Sequence, residues 1–464
     1  MFSLALTALV LSLSLTAASH ALLNKRDSRS ALAWVSLCLV MPLFGPIAYL
    51  LFGINRARST ATKLYSDKEA TASQLAEAIG HGDDRTLIGA RASGRKLLPC
   101  SDIKFLRNGE ELFPAMLAEI ERAEQSVYLC SYLFQADAVG RQFVTALSAA
   151  QARGVEVAVL IDGLGELAYP PRVARLLRKT AVPFKLFDPI RLLPPSLHIN
   201  LRNHRKNLII DGRIAFTGGH NISARHLVEA PSNAAPARDL HTRLEGPIVK
   251  EFTQAFLHDW ERSAGAALQR AASDEQTQPQ TTCALARLIL DGPNEELDKL
   301  NDVLLGVFSS AKVRLWLMTP YFLPEADLIG ALTAARLRGV DVRVILPLRG
   351  NVHLAHWAAQ HTLRRLVQNG LAVYLLPPPF VHSKAVLIDD DYALIGSANL
   401  DPRSLRLNFE LGLEIFSESC NRWLRDYFEH MLDTAEPLDA EAEDHRTRLA
   451  RYRDAIAWLF SPYL

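Results

Sequence analysis

The chain has 464 residues, of which 49% are hydrophobic and 22% are charged, and its formal net charge is +1. This composition excludes a wholly disordered chain, and the balanced charge provides no overall field that would attract nucleic acid. Five scattered cysteines without a C-x-x-C spacing argue against a disulfide framework and a zinc knuckle, and they favour a reducing compartment.

Two apolar runs occupy the N-terminus. Residues 1–24 and 30–55 carry no charged side chain, and each run exceeds the roughly 20 residues that cross a bilayer as a helix. The intervening KRDSR allows only a tight turn, so residues 1–55 are predicted to form a membrane hairpin of two helices. The alternative for the first run is a signal peptide cleaved after SHA. The lack of a basic n-region and the second span directly after it favour the hairpin.

A pattern that recurs begins after residues 56–100, which are predicted to be a helical connector. The order of elements in NGEELFPAMLAEIERAEQSVYLCSYLF returns in PNEELDKLNDVLLGVFSSAKVRLWLMTPYF, and ARGVEVAVLIDGLG returns as LRGVDVRVILPLRG. The repeat predicts an α/β protein with two duplicated halves, 101–269 and 283–464, joined by the polar linker 270–282. The second half is predicted to end in helices.

The third repeated feature is the frame H-x-K-x4-D, found in NHRKNLIIDG and again in VHSKAVLIDD. The two frames contain His204, Lys206 and Asp211, and His382, Lys384 and Asp389. Side chains of a strand alternate between faces, so each histidine shares a face with its lysine. Each aspartate is predicted to face the opposite side of the strand and to lie at a turn. Two roles remain as alternatives for it, namely support of the hairpin and direct participation in the chemistry.

Each frame is followed by a returning strand that ends in an asparagine. Asn221 follows His204, and Asn399 follows His382, by the same 17 residues. Lysine and asparagine can hold the non-bridging oxygens of a phosphodiester, while histidine can attack phosphorus or protonate a leaving alkoxide. A lone frame would more often be a chance strand than a site. Two copies at matching offsets make coincidence improbable.

Each imidazole needs an acidic partner that fixes its tautomer. Glu410, in the second half, and Asp239, in the first half, are the candidates for this orienting role. His220 and His241 flank site residues. Two roles remain as alternatives for them, namely contact with substrate and a structural role. No cluster has metal-ligand spacing, so we expect neither a metal nor another cofactor.

These motifs resemble the phospholipase D superfamily. More narrowly, the chain resembles the bacterial cardiolipin synthases. This resemblance rests on the N-terminal runs and on the stretches NLRNHRKNLIIDG, HDW, TPYFLP, GSANLDPRSLRLNFE and LFSPYL. The resemblance implies two α/β/α sandwich halves packed together behind the membrane hairpin. It also implies phosphatidyl transfer between two phosphatidylglycerol molecules, through a phosphohistidine, to give cardiolipin and glycerol.

The same resemblance implies roles for individual residues. His204 would be the nucleophile, and His382 the general acid and then the general base. The lysines and asparagines would bind phosphate, with Glu410 and Asp239 as partners of the histidines.

The sequence leaves three alternatives to phosphatidyl transfer. The membrane hairpin favours the synthase over a phospholipase D that releases phosphatidic acid. The charge of +1 and the lack of a basic aromatic stripe argue against a superfamily nuclease and a nucleic-acid partner. Two intact motifs argue against a non-catalytic membrane-binding protein. We therefore expect phospholipid substrates and a multi-pass protein of the bacterial inner membrane, with its catalytic part on the cytoplasmic face. The oligomeric state is left open.

Overall fold

The chain folds into two compact units, which divide near residue 64. The computed structural model describes residues 2–25, 28–53, 84–168, 170–189, 201–265, 268, 282–294, 297–439 and 446–463. Most of the predicted connector and of the linker 270–282 lies outside the described residues.

The N-terminal unit is a set of packed apolar helices. They are α1 (Phe2–Asn24), α2 (Ser28–Val40) and α3 (Phe44–Ala48), followed by a π-helical turn (Tyr49–Gly53). The Ser14 hydroxyl donates to the Cys38 carbonyl oxygen at 2.5 Å, and His20 Nδ1 lies 2.8 Å from the Tyr49 hydroxyl. These polar contacts fix α1 against the segment that folds back on it.

The second apolar run does not form the single long helix that was predicted. The helix α2 ends at Val40, and the chain turns before α3 begins. Pro42 disfavours helical backbone at the preceding residue, and this effect outweighs the apolar pattern. Among the described helices, only the stretch Ala5–Asn24 of α1 is long and apolar enough to cross a membrane. The described helices therefore contain one candidate span, which fits membrane association, and they show no second helix of spanning length.

The first half contains a seven-stranded sheet in the order β2-β10-β8-β7-β3-β4-β5. It is preceded by α4 (Asp84–Ser93) and β1 (Leu98–Cys100). The seven strands of this sheet are β2 (Asp102–Arg107), β3 (Ser126–Ser131), β4 (Glu156–Asp162), β5 (Phe184–Phe187), β7 (Asn207–Ile210), β8 (Ile214–Gly218) and β10 (Leu240–Glu245). The first half also contains the short strands β6 (Arg202–Asn203) and β9 (Ala237–Arg238), which lie outside this sheet. Its helices are α5 (Asn108–Arg122), α6 (Ala138–Ala152), α7 (Gly163–Ala168), α8 (Ala174–Leu177) and α9 (Val249–Ala264).

The second half repeats this order as β11-β18-β17-β16-β12-β13-β14, extended by β1 at one edge and β19 at the other. Its strands are β11 (Ala284–Asp291), β12 (Arg314–Met318), β13 (Asp341–Pro347), β14 (Ala372–Leu376), β15 (Phe380–Val381), β16 (Ala385–Ile388), β17 (Tyr392–Gly396), β18 (Asn408–Phe416) and β19 (Glu436–Pro437). Its helices are α10 (Lys299–Ser310), α11 (Ala326–Leu337), α12 (His353–Gln368), α13 (Pro402–Arg406), α14 (Glu418–Leu432) and α15 (Arg448–Trp458). The predicted duplication of α/β halves is confirmed.

Both sheets are covered by helices on two faces, because their central strands carry apolar side chains on both sides. Val127 and Leu129 of β3 face the core beneath α5 and α6, while Tyr128 points the other way and stacks on Phe256 of α9 at 5.1 Å. In the second half, Trp316 of β12 likewise points away from its main core and lies 6.3 Å from Phe428 of α14. Alternation along each central strand thus builds a helix–sheet–helix sandwich twice.

Two short strand pairs join the halves. Strand β6 of the first half runs parallel to β18 of the second, and β15 of the second half runs parallel to β9 of the first. Each pair lies directly before one H-x-K frame. The halves therefore exchange backbone hydrogen bonds at the place where the two frames begin.

Candidate active site

Each H-x-K frame occupies the extended segment that leads into a central strand of its sheet. His204 and Lys206 precede β7, and His382 and Lys384 precede β16. The backbone N–H of His204 donates to Phe409 O at 2.9 Å, so this segment is tied to the opposite half. Both lysines are buried, and both histidines are almost so.

The acidic partners are exchanged between the halves. His204 Nδ1 lies 3.0 Å from Glu410 Oε2, although Glu410 belongs to the second half. His382 Nδ1 lies 2.7 Å from Asp239 Oδ2, although Asp239 belongs to the first half. The structure therefore brings the four predicted residues together as two crossed pairs. Each carboxylate accepts from the Nδ1 side of its imidazole and leaves the Nε2 atom for chemistry.

The two carboxylates are held in different ways. Glu410 accepts from the Ser397 hydroxyl at 2.5 Å and from Asn408 Nδ2 at 3.1 Å. The position equivalent to Ser397 in the first frame is Gly219, where an added Cβ would lie 2.2 Å from Asp239 Oδ1. The longer Glu410 thus has the Ser397 hydroxyl as a hydrogen-bond partner, whereas the shorter Asp239 fits only because Gly219 lacks a side chain.

Burial and neighbouring groups together determine the charge state of the two histidines and the two carboxylates. Burial lowers the pKa of His204 to about 4 and that of His382 to about 3, so both imidazoles are neutral at pH 7. Burial by itself raises the pKa of Glu410, but His204 and Lys206 outweigh it and bring that pKa to about 2. The pKa of Asp239 is likewise held well below its usual value by His220 and His382 against the effect of burial. Neutral imidazoles therefore face ionised carboxylates.

The two lysines contact their histidines differently. Lys384 Nζ lies 3.0 Å from His382 Nδ1 and 3.1 Å from its Nε2. Lys206 Nζ donates to the His204 carbonyl oxygen at 2.6 Å, as Lys384 Nζ does to the His382 carbonyl oxygen at 2.5 Å, and it lies 5.6 Å from the ring centre of Tyr132. That ring also meets His204 edge-on at 4.9 Å. Tyr132 was missed in the sequence because a tyrosine after a strand carries no motif.

The two asparagines lie at the ends of the returning strands. Asn221 Oδ1 accepts from the backbone N–H of Leu133 at 3.2 Å, which directs its amide nitrogen away from that contact. Asn399 Nδ2 donates to the Ser404 hydroxyl at 3.1 Å. Both side chains are nearly buried beside the frames that precede them. Their amide N–H groups are suited to the oxygens of a bound phosphodiester.

Comparison with known families decides what kind of site this is. The family model described as cardiolipin synthase, phospholipase D-like domain, matches residues 116–260 and 304–432, one segment in each half. The chain belongs to the cardiolipin synthase family of the phospholipase D superfamily. A second model, described as the phospholipase D-nuclease N-terminal region, matches residues 12–53.

Relatives from this family align with almost the whole chain. Cardiolipin synthase A of Pseudomonas putida is 33% identical over 97% of this chain and 96% of its own length. A cardiolipin synthase of Clostridium perfringens is 28% identical over 95% of this chain and 96% of its own. The crystal structure of phosphatidylserine synthase from Haemophilus influenzae is similar in fold, with a TM-score of 0.65, 16% identity, and coverage of 82% of this chain and all of that one.

The third member of each frame is not at the site. Asp211 accepts backbone N–H groups from Glu124, Gln125 and Ser126 at 2.8–3.0 Å, at the end of the sheet opposite the histidines. Asp389 does the same for three successive amides that begin at Lys312, at 2.8–3.3 Å. Both aspartates have positive φ, 52° and 51°, as turn residues. Their predicted place in the catalytic set is corrected, and their contacts match the alternative of hairpin support.

We expect Asp211→Asn and Asp389→Asn to change stability and not chemistry. Each substitution weakens charge-assisted hydrogen bonds to amides at a strand start, so the free energy of unfolding should fall by about 1–3 kcal/mol. Turnover per folded molecule should stay within about twofold of wild type. Thermal unfolding in detergent and specific activity measure the two effects, with the exposed Asp390→Asn as the control. Normal stability with a hundredfold loss of turnover would instead assign these aspartates to the chemistry.

A buried ion pair supports the first frame from behind. The Arg205 guanidinium contacts both carboxylate oxygens of Asp259 at 3.0 Å, and its Nε donates to Glu410 O at 3.1 Å. Asn203 Nδ2 donates to the same aspartate at 3.0 Å. Removing one member of such a pair costs about 3–5 kcal/mol, because the other charge is left buried. The sequence signal was the HDW motif, which contains Asp259 and which was noted without a role.

A histidine cluster lies behind Asp239. His220 is 4.7 Å from His226 and 5.4 Å from His241 between ring centres, and His226 is 6.0 Å from His382. Burial lowers the pKa of all three residues, to about 4 for His226 and about 3 for His241. The cluster is therefore neutral, and it separates the carboxylate of Asp239 from water. This placement favours the structural role for His220 and His241.

Proposed function

We propose that the protein transfers a phosphatidyl group from one phosphatidylglycerol to the glycerol hydroxyl of another, which gives cardiolipin and glycerol. The observation that carries the proposal is the crossed site: two H-x-K frames, each with its imidazole held by a buried carboxylate of the opposite half. Two neutral imidazoles beside two lysines suit a phosphodiester, whose negative charge must be neutralised before a nucleophile can approach.

In the first step, the lone pair of His204 Nε2 attacks phosphorus. The N–P bond forms as the P–O bond to glycerol breaks, and His382 Nε2–H gives its proton to the departing oxygen. The bound anionic phosphodiester raises the pKa of the nearby His382, because it stabilises the protonated imidazole by electrostatic attraction. Lys206, Lys384 and the two asparagines hold the non-bridging oxygens.

The second step reverses the proton transfer. A second phosphatidylglycerol presents its hydroxyl to His382, which takes the proton as that oxygen attacks phosphorus. The N–P bond breaks, and His204 returns to its neutral form. One site thus serves two displacements, since the first alcohol leaves before the second enters.

The contacts of the two rings support this division of labour. Lys384 Nζ, 3.1 Å from His382 Nε2, engages the atom that must exchange a proton. Across the described residues, the only hydrogen bond of Lys206 Nζ goes to the His204 carbonyl oxygen, which leaves His204 Nε2 free to attack. The role that the superfamily resemblance gives to His204 is therefore the one that its surroundings favour.

The lysines predict a basic limit to activity. Burial lowers the pKa of Lys206 to about 7 and that of Lys384 to about 8. As pH rises through these values, the free enzyme loses positive charge, so kcat/KM should fall. It should also fall as pH drops toward about 4, where His204 gains a proton and loses its nucleophilic lone pair.

A profile of kcat/KM against pH for wild type and Lys206→Arg tests this expectation. Arginine stays charged at every accessible pH, so the variant should be less active but should keep its activity to higher pH. A wild-type profile that stays flat to pH 10 would contradict it, as would a variant that keeps the same basic limit.

Product analysis tests the function itself. The purified full chain is incubated with vesicles that contain headgroup-labelled and acyl-labelled phosphatidylglycerol, and wild type is compared with His204→Ala and with the surface control Asp390→Asn. We expect cardiolipin and free glycerol in equal amounts from wild type and the control, and neither from His204→Ala. Phosphatidic acid without cardiolipin would show a phospholipase D instead, and DNA cleavage without lipid turnover would show a nuclease.

We further propose an inner-membrane location with the catalytic halves on the cytoplasmic face. The five cysteines are unpaired, and four of them are buried, which is usual for a protein of a reducing compartment. Labelling of the exposed Cys283 with an impermeant thiol reagent is expected only after the inner membrane is opened. Labelling in intact spheroplasts would place the catalytic halves outside.

A further inference from the structure

The last helix, α15, turns its large apolar side chains toward solvent. Leu449 is 81% exposed, Tyr452 68% and Ile456 58%, and just beyond the helix Leu459 is 67% and Phe460 50% exposed. We call these five residues the C-terminal apolar face. Their spacing of three and four residues places them on one stripe of the helix. A surface helix of a globular protein normally turns such a stripe inward, so this arrangement is inverted.

The inverted helix is firmly attached. Ala457 packs in a buried cluster with Ala358 and Leu323, and Asp454 is almost fully buried. The Asp454 carboxylate contacts the Arg446 guanidinium at 2.7 Å and that of Arg453, also at 2.7 Å. The Arg446 guanidinium also donates to Gln360 Oε1 at 3.3 Å, and the ring of Trp458 lies 4.9 Å from that of His361, so α15 is attached to α12 by side chains on its inner side. The outward direction of the apolar face is therefore a property of the fold and not of a frayed end.

The face lies beside the active site. Leu323, in the cluster under α15, donates its backbone N–H to Leu400 O at 2.7 Å, and Leu400 directly follows Asn399. The final turn, Ser461–Tyr463, contacts α13, which begins three residues after Asn399. Whatever covers the C-terminal apolar face is thus held at the end of the sheet that carries the catalytic residues.

Apart from Arg453 and Asp454, which pair with each other, the charged side chains of α15 itself are positive. They are Arg448 and Arg451, and the one acidic residue of the helix, Asp454, is buried. An apolar stripe bordered by arginines, with no exposed carboxylate on the same helix, matches the surface of an anionic phospholipid bilayer. A second copy of the same face would bring like charges together, which disfavours pairing through this surface.

We propose that the C-terminal apolar face inserts into the interfacial region of an anionic phospholipid bilayer and so holds the active site at the lipid surface. The inference rests on the proposed function in one respect, namely that donor and acceptor are both lipids of that bilayer. It adds a second membrane contact to the candidate span α1, placed on the catalytic halves themselves.

A fluorescent probe on the full-length protein tests the insertion. In proteoliposomes of phosphatidylglycerol and phosphatidylcholine, a Cys283→Ser background carries an environment-sensitive fluorophore at Ile456→Cys. The matched control carries it at Leu337→Cys, where leucine is 75% exposed at the opposite end of the sheet. Nitroxide groups on the lipid acyl chains should quench the probe at 456 and leave the probe at 337 bright. Equal quenching at both positions, or a shielded probe at 456 that the nitroxide lipids do not quench, would overturn the proposal.

An activity comparison separates docking from damage to the fold. The double variant Tyr452→Ser/Ile456→Ser should lose about tenfold in kcat/KM on vesicles, since two apolar anchors are removed. It should match wild type and Leu337→Ser on short-chain phosphatidylglycerol kept below its micellar concentration. An equal loss on both substrates would overturn the proposal.

A His204→Ala variant that carries the fluorophore at position 456 separates the test of docking from the test of the proposed function. If the probe at 456 is quenched while wild type forms no cardiolipin, docking holds and the proposed function fails. If wild type forms cardiolipin while the probe stays bright, the proposed function holds and docking fails.

Discussion

Replacing His204 by alanine is expected to abolish release of any leaving group from a phosphatidyl donor, with a loss of at least about 10^4-fold. Replacing His382 by alanine is expected to abolish cardiolipin formation but to spare one early step. With a phosphatidyl-p-nitrophenol donor, the departing nitrophenolate needs no proton. The His382→Ala variant should therefore release about one equivalent in a burst and then stop, because no base activates the acceptor.

Stopped-flow absorbance of nitrophenolate, with enzyme in slight deficit, distinguishes the two variants. Asp390→Asn serves as the surface control and should show a burst followed by steady turnover. A burst from His204→Ala and none from His382→Ala would exchange the two roles. A burst from neither variant would mean that the histidines do not act in separate steps.

Neutralising the two carboxylates is expected to reveal the crossed pairing. Glu410→Gln and Asp239→Asn keep the size of each side chain, but they remove the negative charge and introduce an NH2 donor, which no longer fixes the imidazole tautomer. Each should therefore lower turnover about 10^3- to 10^4-fold. Glu410 lies in the second half but contacts His204, so Glu410→Gln should lose the nitrophenolate burst. Asp239→Asn should keep the burst and lose the turnover, as His382→Ala does.

This exchange is specific to the crossed geometry. If each carboxylate served the histidine of its own half, the two phenotypes would be reversed. Unfolding temperatures close to that of wild type are needed for both variants, since both side chains are fully buried. Loss of the burst in both variants at normal stability would contradict separate pairs.

The duplicated fold and the set of catalytic side chains were predictable because both rest on repeated local patterns. Helix and strand periods recur in the same order in each half, and the fixed offset from His204 to Asn221 recurs from His382 to Asn399. Asp211 could not be assigned from spacing alone. Its position in the motif is as regular as that of His204, and only its contacts with backbone amides show that it supports the strand start.

The crossed pairing could not be predicted. It depends on β6, β9 and β15, which are two residues long and too short to show a hydrophobic period. The apolar pattern of the second run predicted a continuous helix, whereas the local backbone preference before Pro42 ended α2 at Val40. The HDW motif contains Asp259, but its pairing with Arg205 could not be predicted, because the two residues are 54 positions apart in the chain.

The most direct test of the composite site is to find where the phosphatidyl group is held. His382→Ala is mixed with phosphatidyl-p-nitrophenol, quenched at alkaline pH, where phosphohistidine survives, and digested for mass spectrometry. We expect one phosphatidyl group on the peptide that contains His204, and none after Glu410→Gln is added to the same variant. A phosphatidyl group on any other residue, or a burst of nitrophenolate with no covalent adduct, would contradict it.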